Sequence, residues 1–308
     1  MTPLRIGTRK SALALWQAEH VCARLREHHP HLEIELVKIT TTGDRILDRP
    51  LAAEGGKGLF IKELEQALLE RRIDLAVHSM KDLTVTLPDG LHVAAVLERA
   101  DPRDAFVSVR YARLAELPAG ARIGTSSLRR RCQLRARYPH CEVVNLRGNV
   151  NTRLAKLDAG EFDALILAVA GLERLGWQDR IREKLDPAVS LPAVAQGAIC
   201  VETRRDDEST NALLAALDHP ETRECVTAER ALNAHLDGGC QVPIGAYAER
   251  RGDELYLRGL VGDPDGNTIL SEEAYGPRHD PEALGRRVAE ALRAAGAEAI
   301  LARVYGRG

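Results

Sequence analysis

Three clusters of basic and hydroxyl-bearing residues each follow a short apolar run and precede a helical pattern. They are Arg9-Lys10-Ser11, Thr125–Arg131 and Arg147–Arg153. In an open α/β sheet, the junctions at the carboxyl ends of the strands line the ligand crevice. Helix N-termini there supply N–H groups and positive dipole ends, and guanidinium groups add donors. Three such junctions predict a cleft for an anion with several carboxylates or phosphates, although any single cluster fits a solvated helix face equally well.

One acidic residue, Asp82, ends the segment His78–Asp82, which directly follows a strand-like apolar run. A carboxylate in an arginine-rich cleft stays ionised and stabilises a developing cation. On spacing alone, however, a surface turn is the favoured interpretation of this segment.

The most distinctive thiol is Cys240, which follows two glycines and precedes Gln241-Val242-Pro243. This context predicts a constrained loop and suits a reactive cysteine, whereas the other five cysteines are typical of small core or surface residues. A Cys–His hydrolase is an alternative, but no feature pairs a histidine with Cys240. Because the sequence has no CxxC pair, it predicts neither a metal site nor a disulfide framework, and it favours the reducing cytoplasm.

The composition limits the function classes further. The 308 residues suggest two or three domains, and 43 Lys+Arg against 45 Asp+Glu exclude a globally basic nucleic-acid coat. Aromatic residues make up only 4%, which argues against base stacking and nucleic-acid binding. The longest apolar run, Leu165–Ala170, is too short to span a bilayer, and no secretory signal is recognisable, so we expect no membrane partner. Gly55-Gly56-Lys57-Gly58 lacks the spacing of a phosphate loop and is better interpreted as a hinge that presents Lys57.

An internal duplication organises the first two thirds of the chain. Residues 5–8, 30–34 and 73–76 recur, in order, as residues 122–125, 139–143 and 162–165. Each copy predicts strand, helix, strand, helix, strand, which indicates a parallel, doubly wound sheet. The first copy is about 20 residues longer around Thr41–Phe60, an irregular insertion that we interpret as a functional lid.

The remaining segments complete a predicted three-domain chain. Ala198–Glu202 predicts one more strand returning to the first sheet, and a helix, an antiparallel hairpin and a final helix follow Pro220. The predicted domains are residues 1–98 with 198–216, with a lid at about 42–60, then residues 103–192, and an α+β domain at 220–308.

Long sequence segments resemble the porphobilinogen deaminase family over essentially the whole chain. The segments are Arg5–Ala18, Gly55–Glu65, Ala76–Leu83, Gly124–Leu134, Leu146–Leu154, Leu191–Ala198 and Glu229–Gly245. The resemblance implies two periplasmic-binding-protein-like doubly wound α/β domains plus a small C-terminal α+β domain. It also implies a transferase of porphyrin (haem) biosynthesis that joins four porphobilinogen molecules head to tail. Ammonia is released at each step, and hydrolysis then frees the linear hydroxymethylbilane.

The resemblance also implies roles for individual residues. Cys240 matches the cysteine that carries a covalent dipyrromethane cofactor through a thioether. Asp82 matches the catalytic aspartate, which stabilises the azafulvene-like cation left when ammonia departs. The cofactor and the growing chain carry acetate and propionate groups, which need fixed cations and donors. Those implied for the cofactor are Ser11, Lys81, Thr125, Ser127, Arg129, Arg130, Arg147 and Gly148, and those implied for the substrate are Arg9, Lys57, Phe60, Arg153, Arg174 and Gln196.

Some features depart from the family pattern or stay open. Ala53-Glu54 stands where family members often have a lysine before GGKG, and Arg131 is an extra charge without an assigned role. The competing hypothesis is a non-catalytic, two-lobed polycarboxylate-binding protein, in which neither Asp82 nor Cys240 would have a chemical task. The family is usually monomeric, so a monomer is expected.

Overall fold

The computed structural model describes residues 3–45, 58–239 and 242–306. The chain divides into two compact units, each containing two separate stretches of sequence. The first unit comprises Met1–Ala100 and Ala198–Arg223, and the second comprises Asp101–Gly197 and Glu224–Gly308. The division into three domains stays a prediction.

In the described segments, strands and helices are interspersed over the first two thirds of the chain. The strands are β1 (Leu4–Arg9), β2 (Ile34–Ile39), β3 (Leu75–Ser79), β4 (Leu91–Val96), β5 (Asp104–Val107), β6 (Arg122–Gly124), β7 (Glu142–Val144), β8 (Ala164–Ala168), β9 (Glu183–Lys184), β10 (Ile199–Arg204), β11 (Ile244–Arg251), β12 (Glu254–Gly262) and β13 (Ile269–Pro277). The α-helices are α1 (Ala12–His28), α2 (Thr42–Arg45), α3 (Lys62–Leu69), α4 (Leu128–Arg137), α5 (Val150–Asp158), α6 (Val169–Arg174), α7 (Glu208–Leu214), α8 (Pro220–His235), α9 (Pro281–Ala294) and α10 (Ala297–Val304).

The first unit is built on a five-stranded sheet of order β2-β1-β3-β10-β4. Strand β1 is parallel to β2 and β3, whereas β10 is antiparallel to both β3 and β4. The predicted return strand is therefore confirmed as β10, but the expectation of an all-parallel sheet is wrong. The reason is the direction of entry: Met80 N–H donates to the carbonyl of Ala198, so β10 starts beside the end of β3 and must run back along it.

Helices cover both faces of this sheet. Ser11 caps α1 by accepting a hydrogen bond from the N–H of Ala14 at 3.3 Å. Buried apolar residues of α1, including Val21 and Leu25, pack against β3 and β10 on one face. Helix α3 packs against the other face.

The second unit repeats the same arrangement in a sheet of order β7-β6-β8-β5-β9. The duplication is visible in equivalent hydrogen bonds. In the first copy, the carboxylate of Asp74 accepts from the N–H of Arg5 at 2.9 Å, and Asp74 N–H donates to the carbonyl of Arg5. In the second copy, Asp163 accepts from the N–H of Arg122 at 2.8 Å and donates to its carbonyl in the same way. In both copies, the aspartate fixes the start of the third strand beside the first.

The last part of the chain forms a three-stranded antiparallel sheet, β11-β12-β13. Strands β12 and β13 are the predicted hairpin, while β11 and α10 were not predicted. Helices α9 and α10 supply buried residues to one core with this sheet. The predicted fold class, two doubly wound α/β sheets plus a small α+β part, is confirmed. No helix in the described ranges is long and apolar enough to cross a bilayer.

Candidate functional site

Four of the predicted site residues share one edge of the first unit's sheet. Because β1 and β3 are neighbouring parallel strands, their carboxyl ends lie at the same edge. Strand β1 ends at Arg9, and Ser11 then begins α1. Strand β3 leads into the 3₁₀ turn Met80–Asp82, which carries Lys81 and Asp82 with half-buried side chains. Two cations, a hydroxyl group and a carboxylate are thus brought to one edge.

The turn that carries Asp82 is held from two sides. Met80 N–H donates to the carbonyl of Ala198, which ties the turn to the start of β10. Just before the turn, Ser79 accepts a hydrogen bond at 2.8 Å from the side-chain amide of Gln17, a buried residue of α1. The position of Asp82 is therefore set by the sheet and α1.

An aromatic ring lies against Arg9. The guanidinium carbon of Arg9 is 4.2 Å from the ring centroid of Phe60, which is within cation–π range. The ring also packs onto Gly43, where an added Cβ would come within 2.3 Å of the ring. The N–H of Gly43 donates to the carbonyl of Leu59 at 2.7 Å. These two contacts join the residues that precede position 46 to the residues that follow position 57. Most of the predicted lid, including Lys57, lies outside the described residues, and residues 42–45 are helical rather than irregular.

A buried titratable cluster lies between α3 and the same sheet. His78 Nε2 is 3.0 Å from Glu202 Oε2, and both side chains are almost fully buried. Glu65 of α3 is also buried, at 7% exposure. Burial raises the pKa of Glu65 to about 7, the neighbouring Glu202 adds to the rise, and electrostatic interactions with His78 and Lys62 oppose it. The sequence analysis missed this cluster, although Glu202, directly after the apolar residues Ile199–Val201 of a predicted strand, was a usable signal.

The second unit brings the other two basic clusters to one sheet edge. Strands β6 and β7 are parallel neighbours, so their carboxyl ends coincide. Thr125 follows β6 and is buried, and Ser127 caps α4 by accepting from the N–H of Arg130. Beyond β7 come Arg147 and Gly148, and then α5, which is capped by Asn149. Two capped helix N-termini therefore point their N–H groups toward this edge.

Arg129 and Arg130 share a buried carboxylate that the sequence analysis did not single out. Asp104 Oδ2 lies 2.8 Å from Arg129 Nη1, and Asp104 Oδ1 lies 2.7 Å from Arg130 Nη2. Asp104 also accepts from Ser190 Oγ at 2.7 Å and from the amide nitrogen of Gln196 at 3.0 Å. Burial alone would raise the pKa of Asp104, but the charges and hydrogen bonds of the two arginines hold it well below its ordinary value. Asp104 is therefore ionised.

This cluster fits an acidic ligand. Its two buried guanidinium groups face one carboxylate, which leaves one net positive charge. Burial lowers the pKa of Arg130, the charge of Asp104 opposes this, and Arg129 adds to the lowering. Within the described residues, Arg129 Nε is buried without a hydrogen-bond partner. A buried donor and an excess charge are both satisfied by an anion, so the residues present suit a group that carries carboxylates.

Two further predicted arginines of this unit donate to backbone carbonyls. Arg153 Nε donates to the carbonyl of Gly148 at 2.7 Å, and Gly148 has a φ of +113° that favours glycine. Arg174 Nη2 donates to the carbonyl of Gly197 at 2.6 Å. Burial lowers the pKa of Arg174 to about 10, so this side chain is still charged at neutral pH.

The structure gives a contact to Arg131, whose role the sequence left open. Arg131 and Arg135 of α4 both reach Asp265 Oδ1, at 3.2 and 2.6 Å. Asp265 lies in the turn between β12 and β13. The same hairpin packs closely on α4, because an added Cβ at Gly262 would lie 2.4 Å from Cys132 Sγ. The three-stranded sheet therefore supports the helix whose N-terminus carries Arg129 and Arg130.

Cys240 itself lies outside the described residues, but the chain that precedes it is tightly constrained. Asp237 has a φ of +53°, and Gly238 N–H donates to the carbonyl of Asn233 at 2.8 Å. An added Cβ at Gly238 would come within 1.9 Å of the Asn233 side chain. Up to Gly239, the chain thus has the restricted geometry that the two glycines predicted. Across the described segments, no group of three or more His, Cys, Asp or Glu residues could hold a metal ion.

Two family models match most of this chain. Residues 4–212 match the family model "Porphobilinogen deaminase, dipyromethane cofactor binding domain", and residues 223–294 match "Porphobilinogen deaminase, C-terminal domain". The chain belongs to the porphobilinogen deaminase family. As a porphobilinogen deaminase it is a transferase with hydroxymethylbilane synthase activity in tetrapyrrole biosynthesis, with porphobilinogen as substrate and dipyrromethane as cofactor. This membership sets aside the alternative of a non-catalytic anion-binding protein.

Two bacterial proteins are among the solved structures that match part of this chain. One is a putative methionine-binding lipoprotein from Bacillus subtilis, at 13% identity, covering 72% of this chain and 92% of that chain with a TM-score of 0.44. Another is a periplasmic substrate-binding protein of an ABC transporter from Coxiella burnetii, at 13% identity, covering 74% of this chain and 96% of that chain with a TM-score of 0.45.

Proposed function

We propose that Asp82 is the catalytic group of the deaminase reaction in this chain. The observation that carries the proposal is the place of its carboxylate, on a turn fixed at the sheet edge that also presents Arg9 and Ser11. When ammonia leaves porphobilinogen, a positive charge spreads over the pyrrole ring and its N–H group. A fixed carboxylate stabilises that charge, accepts a hydrogen bond from the N–H group, and can take up the proton lost when the new bond forms.

We further propose that Cys240 attaches the cofactor through a thioether. Thioether formation needs an accessible thiolate, and burial disfavours the thiolate at other cysteines of the chain. Burial raises the pKa of Cys22 and Cys141, and it raises that of Cys132 to about 12. The glycine-constrained turn before Cys240 supports a fixed attachment point. When bound, the dipyrromethane supplies the primer to which the first substrate molecule is joined.

Fixed cations and hydrogen-bond donors are proposed to bind the carboxylates of cofactor and substrate. The buried arginine pair supports this role most strongly, because it carries an unneutralised charge and a donor without a partner. The residues proposed for the cofactor are Ser11, Lys81, Thr125, Ser127, Arg129, Arg130, Arg147 and Gly148. Those proposed for the substrate are Arg9, Lys57, Phe60, Arg153, Arg174 and Gln196.

Intact-protein mass and turnover together test the first two assignments. We expect Asp82→Asn to keep the cofactor, seen as the mass of two linked pyrroles above that of the bare chain. Its turnover rate should fall at least about 100-fold, because proton transfer and charge stabilisation are both removed. The matched control is Asp89→Asn, at an exposed aspartate of the same unit. Near-normal turnover of Asp82→Asn would refute the catalytic role.

The attachment site is tested by mass alone. We expect Cys240→Ser to have the mass of the bare chain, both as purified and after incubation with porphobilinogen. The control Cys141→Ser, at a buried cysteine, should gain the two pyrroles. A Cys240→Ser protein that carries covalent pyrrole would show that another residue holds the cofactor.

We also propose that the enzyme works in the cytoplasm. The five described cysteines are thiols and are buried, which is typical of proteins from reducing compartments. Fractionation of cells that produce the chain with a C-terminal tag tests this proposal: recovery with the membrane or exported fraction would contradict it.

A further inference from the structure

The Asp104 carboxylate has no part in the reaction as proposed above, yet it is the centre of a buried polar network in the second unit. Its side chain is fully buried at the first position of β5. Both of its oxygens are occupied: Oδ1 accepts from Arg130 and Gln196, and Oδ2 accepts from Arg129 and Ser190. The network joins residues that lie between 25 and 92 positions from Asp104 along the chain.

We infer that Asp104 is a positioning residue for cofactor binding: it fixes the guanidinium groups of Arg129 and Arg130 and leaves the pair with one net positive charge. This inference rests on the proposed binding role of the two arginines. It assigns a task to a residue that would contact neither cofactor nor substrate.

The electrostatic argument concerns two like charges held in one buried place. Arg129 and Arg130 both lie within 3.2 Å of the same carboxylate, and both side chains are at most 7% exposed. Without a counter-charge, two buried guanidinium groups repel each other and lose their hydration, so they would move apart. A second internal carboxylate would neutralise the pair and remove its attraction for acidic ligands. One carboxylate for two arginines therefore keeps the pair together and still able to bind a carboxylate.

The geometric argument concerns the direction of each guanidinium plane. Arg129 also donates to the carbonyl of Leu191, and Arg130 donates to that of Ile166 at 2.9 Å. Together with Asp104, these contacts fix each plane at two points. The fixed orientation leaves Arg129 Nε without a partner among the described residues. Such a donor, buried and already oriented, binds an anion without a further loss of side-chain freedom.

Asp104 also holds the segment that contains Gln196. The side-chain nitrogen of Gln196 donates to Asp104 Oδ1 at 3.0 Å and to the carbonyl of Pro102 at 2.7 Å. Ser190 bonds to the other oxygen at 2.7 Å. Removal of the Asp104 charge is thus expected to disturb a proposed substrate-binding residue as well as the arginine pair.

The test measures how much of the folded protein acquires covalent pyrrole. Asp104→Asn keeps the shape of the side chain and removes its charge, and Arg129→Gln removes one of the cations. Asp101→Asn is the matched control, because Asp101 pairs with Arg103 and Lys184 instead. Each protein is purified, and its folding is checked by comparing its far-UV circular dichroism with that of the parent chain. The folded protein is then incubated with porphobilinogen and analysed by intact mass.

We expect the loaded fraction, or its rate of formation, to fall at least about tenfold for Asp104→Asn and for Arg129→Gln, because each change breaks a buried ion pair. Asp101→Asn should load like the parent chain. Since Asp104 acts through the arginines, the variant that combines Asp104→Asn with Arg129→Gln should acquire covalent pyrrole no more slowly than the poorer of the two single variants. A purely structural role would lower the yield of folded protein but leave its loading complete, which would overturn the inference.

The outcomes separate this inference from the proposed function. Normal loading of Arg129→Gln would refute the binding role on which the inference rests. Poor loading of Arg129→Gln with normal loading of Asp104→Asn would overturn the inference alone. If Asp104→Asn does not fold, Ser190→Ala takes its place: it removes one hydrogen bond to Asp104 without changing any charge. We expect it to load a few-fold more slowly, and loading at the parent rate would overturn the positioning role.

Discussion

Replacement of Glu65 by glutamine is expected to remove a pH dependence from the stability of the first unit. Glu65 shares a buried site with Glu202 and His78, and one oxygen of each glutamate is buried without a hydrogen-bond partner among the described residues. Ionisation of Glu65 in the folded protein therefore places a negative charge beside Glu202 in a region with little water. In the unfolded chain the same carboxyl is hydrated and ionises at its ordinary pKa.

The sign follows from the direction of the pKa shift. Burial and Glu202 raise the pKa of Glu65 from 4.5 to about 7, so between these values the folded chain keeps a proton that the unfolded chain has lost. The free energy of unfolding then falls as the pH rises from 4.5 to 7 and is constant above that range. At about 1.4 kcal/mol per pKa unit, the full change is about 3 kcal/mol, and about 2–3 kcal/mol of it lies between pH 5 and pH 8.

Tryptophan fluorescence can restrict the measurement to the first unit. Of the two tryptophans, Trp16 lies in the first unit and Trp177 in the second. In a Trp177→Phe background, urea unfolding followed by Trp16 emission is compared with and without Glu65→Gln at pH 5, 6, 7 and 8. The parent should lose about 2–3 kcal/mol relative to Glu65→Gln over this range. Glu70→Gln is the control on the end of the same helix, since hydrogen bonds from Arg72 and Gln66 lower the pKa of Glu70 instead.

Parallel stability curves for the parent and Glu65→Gln between pH 5 and 8 would refute this reasoning. A stability difference that widens in the opposite direction, with the parent gaining stability as the pH rises, would show that the carboxylate is the favoured form in the fold.

Three further changes test local packing and contacts. Gly124→Ala should destabilise the second unit by about 1–3 kcal/mol in urea unfolding, because the new Cβ would lie 2.7 Å from Leu165 Cδ2; unchanged stability would show that the strand accommodates it. Phe60→Leu should raise the KM for porphobilinogen by about two- to fivefold with little change in kcat, because Arg9 loses a cation–π contact of about 0.5–1 kcal/mol; an unchanged KM would contradict the substrate role. Asp265→Asn should cost less than about 1 kcal/mol, because its contacts to α4 are exposed, and a larger loss in urea unfolding would show that this hairpin is essential to α4.

Local rules explain why parts of the site could be predicted from the sequence. The cap of α1 by Ser11 can be predicted from the sequence, because a cap depends on residues two or three positions away. The two sheets could be predicted because the duplication preserves whole strand–helix units. The Gly-Gly turn before Cys240 was also readable, since glycine is the residue that accepts such close approach of the chain.

The parts that could not be predicted depend on long-range contacts. The ion pair between Asp104 and Arg129 joins positions 25 residues apart, and no periodicity in the sequence predicts it. Strand β5 has four residues, too few to show an alternating pattern. The antiparallel direction of β10 follows from the edge at which the chain re-enters the first sheet. That edge is set by the fold as a whole and by no local signal.

The position of β10 has a consequence for the order in which the chain folds. This strand lies between β3 and β4, yet it is made after residues 101–197 of the second unit. At about 5–20 residues per second, a ribosome needs roughly 5–20 s to make those residues. During that time β3 offers an unpaired edge and β4 has no partner in its sheet, which is the kind of edge that recruits other chains. The N-terminal 100 residues should therefore aggregate when produced alone. The first part of the protein to be synthesised completes its sheet only after all five strands of the β7-β6-β8-β5-β9 sheet have been made.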